Sequence, residues 1–210
     1  MAKLFIVVLL SLSVVGCAAT QPNWANRSAK VNKNSPVVYI YPLNNGYQEA
    51  SVAVLPFQVP AQMSLEQGRG VATLFKDVLL GRQAFSRVLC LDESYGSMER
   101  AIAIGKRAGV DLVLVGKVNY AMEGGQFGGS RVEVASRLVN VNTGNTVWYI
   151  EQALDQPMNY PKSSTLSRFV AAFNPPAIGS PAGGPVVPNM LAQVAFDMVD
   201  VMAGARFVSR

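Results

Sequence analysis

The hydrophobic pattern of the chain is strongest at residues 109–118, Gly-Val-Asp-Leu-Val-Leu-Val-Gly-Lys-Val. Residues 112–115 form a nearly continuous aliphatic run, which is typical of a strand buried on both faces of a sheet. The preceding segment, 98–108, has helical periodicity, and Gly109 can adopt the left-handed conformation that ends a helix. A helix, a glycine and a buried strand in this order predict an α/β domain.

Further strands and a helix are predicted before this segment. Residues 37–41 and 51–57 are rich in β-branched and aromatic side chains, which favour strands. Ser64 and Gln67 have the spacing of a capping box, so a helix is predicted to begin here. Its apolar positions recur at the helical period and indicate one face packed on a sheet: Val71, Leu74, Phe75, Val78 and Leu79. Residues 87–91 predict a third strand.

An antiparallel hairpin is predicted near residues 131–150, where apolar and polar positions alternate. One strand covers 131–141, and the chain returns along 146–150. Gly144 suits the positive φ that a short hairpin turn requires. The complete pattern predicts an α/β (α+β) fold, with a mixed central sheet and helices packed on it, over residues 37–173.

The end of the chain is predicted to be a loop followed by a helix. Residues 163–173 have the pattern of a short helix, and residues 174–189 contain five prolines and three glycines, which exclude a continuous element. Residues 190–210 are predicted to form a C-terminal helix and tail. Its apolar stripe consists of Leu191, Val194, Ala195, Met198 and Met202. This stripe can pack either on its own domain or on a neighbouring copy.

The first 16 residues have the pattern of a secretory signal peptide: one lysine, then an apolar segment that is shorter than the roughly 20 residues needed to span a bilayer. Val14-Val15-Gly16-Cys17 resembles the bacterial lipobox, which predicts that Cys17 is the lipid attachment site and carries acyl chains such as palmitate. The alternative is an ordinary signal peptide with an incidental cysteine. Residues 17–36 are polar and predict a flexible tether between the lipidated cysteine and the domain.

The lipobox resemblance also implies a location. In lipoproteins of this kind an aspartate after the cysteine retains the protein at the inner membrane. Ala18 follows Cys17 here, which favours the outer membrane, with the domain facing the periplasm. If Cys17 carries lipid, Cys90 is the one remaining thiol, so an intrachain disulfide is excluded.

The charge of the chain gives no indication of a nucleic-acid partner. Removal of residues 1–16 takes away Lys3 and leaves 17 basic against 13 acidic side chains, a formal charge of +4. These charges are scattered rather than clustered in one basic block. A solvated surface explains them, and no nucleic-acid binding is expected.

The residue types present argue against an enzyme. The chain has no histidine, which excludes Ser-His-Asp and Cys-His catalysis and disfavours a zinc or haem site. The glycine-rich segment 123–129 lacks the lysine of a phosphate-binding loop and is interpreted as a hairpin tip. Asp92 and Glu93 are adjacent, so their side chains point apart. Lys162 is the nearest candidate for a Ser-Lys pair, and its context favours helix capping. No catalytic, cofactor-binding or metal-binding residue is predicted.

Three segments carry a resemblance to a known group of proteins. Residues 52–57 (Val-Ala-Val-Leu-Pro-Phe), 108–118 and 138–148 (ending Thr-Gly-Asn-Thr-Val-Trp) occur in this order. They resemble the periplasmic α/β domain shared by the curli-secretion channel (CsgG), the lipoprotein activator of a peptidoglycan synthase (LpoB) and the Pel exopolysaccharide lipoprotein (PelC). The resemblance covers residues 50–150 and supplies no catalytic residues. The segment 121–130 is too short for the membrane-spanning hairpins of the curli channel, whose strands need about 9–11 residues each.

Two functions follow from this resemblance. The first is a non-enzymatic outer-membrane lipoprotein that acts as a periplasmic scaffold or ring component of an envelope export or assembly system, for exopolysaccharide or protein secretion. It implies a homo-oligomer, an envelope protein partner and contact with the membrane through lipid. The alternative is a tethered lipoprotein regulator that binds and activates a peptidoglycan synthase. Since such a regulator must reach toward the inner membrane, the short tether favours the scaffold.

Overall fold

The fold is a mixed β-sheet with helices on both faces, in a computed structural model that describes residues 31–42, 47, 49–125, 128–158 and 186–204. All of these residues belong to one compact unit. The strands are β1 (Asn32–Lys33), β2 (Val37–Ile40), β3 (Ser51–Val54), β4 (Arg87–Cys90), β5 (Leu112–Met122), β6 (Arg131–Asn140) and β7 (Thr146–Asp155). The helices are α1 (Leu65–Gly81), α2 (Met98–Ala108) and α3 (Val186–Gly204). The predicted signal peptide and the predicted short helix at 163–173 lie outside the described residues.

The sheet order is β1-β7-β6-β5-β3-β4, and β2 shares the outer edge of β7 with β1. Strand β3 is parallel to both β4 and β5. The remaining neighbours are antiparallel. The predicted mixed α/β sheet with an antiparallel hairpin is therefore confirmed. The hairpin is longer than predicted, because β7 continues five residues beyond position 150.

The two faces of the sheet bury different helices. Helices α1 and α3 pack together on one face, over alternate residues such as Val54, Leu114 and Leu138. The other face presents the intervening residues, such as Val113 and Val115, to α2. Successive side chains of a strand point to opposite faces, so the aliphatic run of β5 supplies both layers. The prediction of a doubly buried central strand is confirmed: its residues from 112 to 115 are at most 4% exposed.

Both predicted helix-end signals form. The Ser64 side chain accepts a bond from the Gln67 N–H, and the Gln67 side chain accepts from the Ser64 N–H, which completes the capping box of α1. Gly109 ends α2 with φ of 63°, in the left-handed region. Gly144 also has a positive φ, 74°, in the turn between β6 and β7. These three features are local, which is why the sequence predicts them.

The segment after β3 explains the Leu-Pro-Phe motif. Strand β3 ends at Val54, earlier than the predicted 57, and Pro56 cannot donate to a ladder. Phe57 then packs on Phe75 of α1, with ring centroids 4.7 Å apart, and lies directly over Gly116. A Cβ at Gly116 would come within 2.0 Å of the Phe57 ring. The phenylalanine and the glycine therefore form one packing unit between α1 and the sheet.

The C-terminal helix closes the core of its own domain. Its buried residues are Met190, Leu191, Val194, Ala195, Asp197, Met198, Val199 and Met202, and it contacts α1, β6 and β7. Of the two packing alternatives for the apolar stripe, the structure shows packing on the parent domain. By length and composition α3 could also cross a membrane, but its packing shows that it is a core helix of this domain.

Two predicted boundaries differ from the structure. Helix α3 begins at Val186, although the sequence predicts a loop up to residue 189, because Pro188 occupies the first turn, where a missing N–H costs nothing. The predicted tether, 17–36, is also too long, since β1 pairs with β7. In addition, the Asn34 carbonyl accepts a bond from Gln152 at 2.8 Å. These contacts arise only in the tertiary fold, which the local pattern does not show.

Candidate functional surfaces

The predicted lipid attachment site, Cys17, lies outside the described residues and stays a prediction. The other cysteine, Cys90, is a partly buried free thiol on the edge strand β4. Burial raises the pKa of Cys90, with opposing and smaller effects from its neighbours. The thiol is therefore protonated at neutral pH and a poor nucleophile.

The acidic residues weighed as catalytic candidates make separate contacts. Glu93 pairs with Arg107 at 2.5 Å, across to α2, rather than with Asp92. Asp200 pairs with Arg82 at 2.7 Å and links the C-terminal ends of α1 and α3. Within the described residues, no group of three or more His, Cys, Asp or Glu side chains is placed to hold a metal ion.

One face of the sheet carries exposed and half-exposed side chains beyond the area covered by α2. We call it the open face; it is formed by alternate residues of β5, β6, β7 and β2. From the register, these are Lys117, Tyr120, Met122, Arg131, Glu133, Ala135, Arg137, Tyr149, Glu151, Ala153, Asp155, Val37 and Tyr39. Charged and aromatic groups of both signs alternate across it, which is typical of a solvated or protein-binding surface.

An aromatic stack lies at the β7 side of the open face. The rings of Tyr39 and Tyr149 have centroids 5.3 Å apart, and the Arg137 guanidinium lies 4.7 Å from the Tyr149 centroid. The Tyr149 hydroxyl donates to Glu151. Cross-strand aromatic and cation–π pairs each contribute about 0.5–1 kcal/mol at exposed sites, so they order this surface without covering it.

The carboxylate of Glu151 controls the ionisation of both rings in this stack. Its hydrogen bond with Tyr149 is the main reason that the pKa of Tyr149 is raised. Its negative charge is the main reason that the pKa of Tyr39 is raised. Both phenols are therefore neutral donors at physiological pH, as they would be in an ordinary contact surface.

Exposed apolar side chains concentrate in β2 and the residue after it. Val37, Tyr39, Ile40 and Tyr41 are each between 39% and 64% exposed. Strand β2 pairs with β7 along one side only, within the residues that the structure describes. An exposed apolar edge of this kind is a template for pairing with another chain.

An apolar groove lies between the N-terminal halves of α1 and α3. Its volume is 650 Å³, and its walls include Met63, Val71, Leu74 and Leu191. Glu123 stands at its rim, where its carboxylate oxygens accept bonds from the first two N–H groups of α3, at 2.6 and 2.9 Å. A carboxylate at this helix end stabilises the N–H groups and the helix dipole.

Polar groups are buried where α3 crosses β7. Asp197 accepts bonds of 2.8 Å from the side chains of Gln152 and Gln193. The Gln152 amide also holds the Asn34 carbonyl, so one chain of hydrogen bonds joins α3, β7 and the N-terminal segment. The Gln152 side-chain oxygen is buried without a partner. Unsatisfied buried groups cost about 1–3 kcal/mol, which makes this the least favourable point of the core.

The sequence did not indicate any of these surfaces as sites. The four apolar residues of β2 were interpreted only as a strand, because exposure depends on which strands flank it. Glu123 was read as the beginning of a glycine-rich tip, and its role at the α3 terminus joins residues more than 60 positions apart. One signal was available: β2 lacks the strict alternation expected of a half-buried strand.

Comparisons with known proteins give similarity of fold. No protein-family model and no curated protein matches the sequence. A PelC dodecamer from Paraburkholderia phytofirmans is similar in structure, with a TM-score of 0.50 and 14% identity, over 83% of this chain and 98% of that chain. A second crystal form of that dodecamer gives a TM-score of 0.48 and 15% identity, over 83% and 96%.

A third structure is more distant. The LpoB C-terminal domain from Salmonella enterica has a TM-score of 0.39 and 16% identity, over 53% of this chain and 87% of that chain. The PelC-like part of the predicted resemblance is therefore supported at the level of fold. The likeness to the curli-secretion channel stays a prediction.

Proposed function

We propose that this chain is a non-enzymatic lipoprotein of the bacterial outer membrane that self-assembles into a periplasmic scaffold of an envelope export system. The observation that carries the proposal is the fold shared with a PelC dodecamer over 83% of the chain. The exposed apolar edge at β2 supplies a surface for association, whereas the methionine-rich stripe of α3 is already used within the domain.

The scaffold interpretation gives each part of the chain a role. Lipid on Cys17 holds the protein at the outer membrane, and the short tether keeps the domain close to it. Association of identical subunits repeats the same contact and closes into a ring when the rotation per subunit allows. The exported material would be an exopolysaccharide or a protein. A carbohydrate or protein in transit needs a lined passage and no chemistry, which agrees with a site built from surfaces.

The test is the native mass of the full-length protein, extracted from membranes with detergent. A defined multimer is expected, with the same mass across a hundred-fold range of concentration. The control is a variant of an exposed helix residue, Thr73→Ala, which should give the same mass. A monomer at every concentration would contradict the scaffold. It would favour the tethered regulator, for which direct binding to a peptidoglycan synthase is the next measurement.

A further inference from the structure

The two ends of the sheet present strand edges that match each other. At one end β4 pairs only with β3, and at the other end β2 pairs only with β7, among the residues that the structure describes. Both strands have four residues. Natural proteins cover, charge or distort apolar edges because these edges recruit further strands. Strand β2 has none of these protections, since Val37, Tyr39 and Ile40 are exposed apolar residues.

The strand directions favour antiparallel pairing between these two edges. Strands β4, β3 and β5 run in one direction, β6 runs opposite, β7 returns to the first direction, and β2 runs opposite again. A second copy placed beside the first in the same orientation therefore brings β2 antiparallel to β4. Antiparallel pairs need no crossover and are slightly more stable per residue than parallel pairs.

The faces of the two strands restrict their register. Val38 points to the helix-covered face, as does Val88, and residues directly opposite in a ladder share a face. Pairing Val38 with Val88 places Val37 opposite Leu89. It also places Tyr39 opposite Arg87, both on the other face.

The Tyr39–Arg87 pair is chemically favourable. Arg87 is exposed at the β4 edge, and Tyr39 is an exposed ring at the β2 edge. The chain already contains the same pairing on the open face, where Arg137 lies over Tyr149. A guanidinium over a tyrosine ring stabilises by about 0.5–2 kcal/mol, with the larger value where water is excluded.

We propose that the β2 edge of one copy pairs with the β4 edge of the next copy, with Val38 opposite Val88 and Tyr39 opposite Arg87. This inference rests on the proposed self-association and names its contact. The contact is heterologous, so each subunit uses both edges and the assembly continues until it closes. Two short strands bury less than the roughly 800 Å² per partner of a standard interface. Ring closure and a shared membrane anchor raise the effective concentration and compensate for the small contact.

Disulfide trapping tests the proposed register. In a full-length Cys90→Ser background, Val37→Cys and Leu89→Cys are introduced together, and the membranes are oxidised. The expected product is a ladder of dimers, trimers and larger species on a non-reducing gel, which disappears on reduction. The control combines Val37→Cys with Thr73→Cys, an exposed position on α1. It should give no ladder.

The outcomes separate this contact from self-association itself. A multimer of defined native mass without the ladder would overturn the contact and leave the scaffold function standing. A dimer from Val37→Cys alone, and nothing larger from the pair, would overturn it in favour of two β2 edges meeting across a twofold axis. Monomers without a ladder would overturn both the contact and the function.

A charge exchange gives a second, independent test, because the residues involved are exposed and their replacement leaves the core unchanged. Arg87→Glu should weaken association roughly ten-fold, through loss of the cation–π contact. Adding Tyr39→Arg to this variant should restore association through an Arg–Glu pair. Lys106→Glu, with the same charge change on α2, should have no effect. Failure of the rescue, with normal association of the Arg87→Glu variant, would contradict the proposed contact.

Discussion

Replacement of Leu114 by alanine should destabilise the domain more than any surface change. Leu114 is fully buried in the centre of β5, opposite Val54 and Leu138 in the neighbouring strands. Its backbone carbonyl accepts from the Leu55 N–H at 3.0 Å, and alanine keeps this bond. The perturbation therefore removes side-chain packing alone.

The magnitude follows from the atoms removed. Leucine to alanine deletes three carbons, and at about 0.8 kcal/mol for each the transfer contribution is about 2.4 kcal/mol. The strands on both sides and helices α1 and α3 above restrict collapse, so a cavity remains and adds to this cost. We expect a loss of about 3–5 kcal/mol in the free energy of unfolding, within the range measured for buried leucines.

Urea denaturation of the purified protein, followed by circular dichroism, measures this loss. The denaturation midpoint should fall while the slope stays constant, because the surface exposed on unfolding hardly changes. Leu65→Ala is the matched control, since Leu65 is 74% exposed and its replacement should cost less than about 0.5 kcal/mol. Equal midpoints for the two variants would refute the placement of β5 at the centre of the core.

Three further outcomes are expected. Labelling with a fatty-acid analogue should mark the wild type and leave Cys17→Ala unmodified and soluble; equal labelling of both would contradict lipidation. Burial raises the pKa of Tyr95 to about 12. Its stabilising contribution is therefore fully present below pH 10 and lost between about pH 10 and 12, which Tyr95→Phe should abolish in alkaline unfolding curves. Gly116→Ala should destabilise by about 1–3 kcal/mol through overlap with the Phe57 ring. Phe57→Leu should cost less in the Gly116→Ala background than in the wild type, and full additivity of the two changes would contradict the overlap.

The sequence predicted the features that depend on near neighbours. The capping box at Ser64 and Gln67, the left-handed Gly109 and the positive φ of Gly144 each involve residues within four positions of one another. Hydrophobic periodicity likewise identified α1, α2 and the buried β5. These predictions succeed because backbone geometry and local hydrogen bonding decide them before any tertiary contact forms.

Only the tertiary structure decided how these elements come together. It placed β3 between β4 and β5, packed α3 on its own domain, and drew β1 from the predicted tether into the sheet.

The candidate surfaces are tertiary for the same reason. The exposure of β2 depends on β7 covering one side of it and nothing described covering the other, and the bond between Glu123 and α3 spans more than 60 residues. A hydrophobic pattern specifies that a residue prefers to be buried, and not which partner buries it. Burial at each position is settled by the packing of distant elements, which the local sequence does not contain.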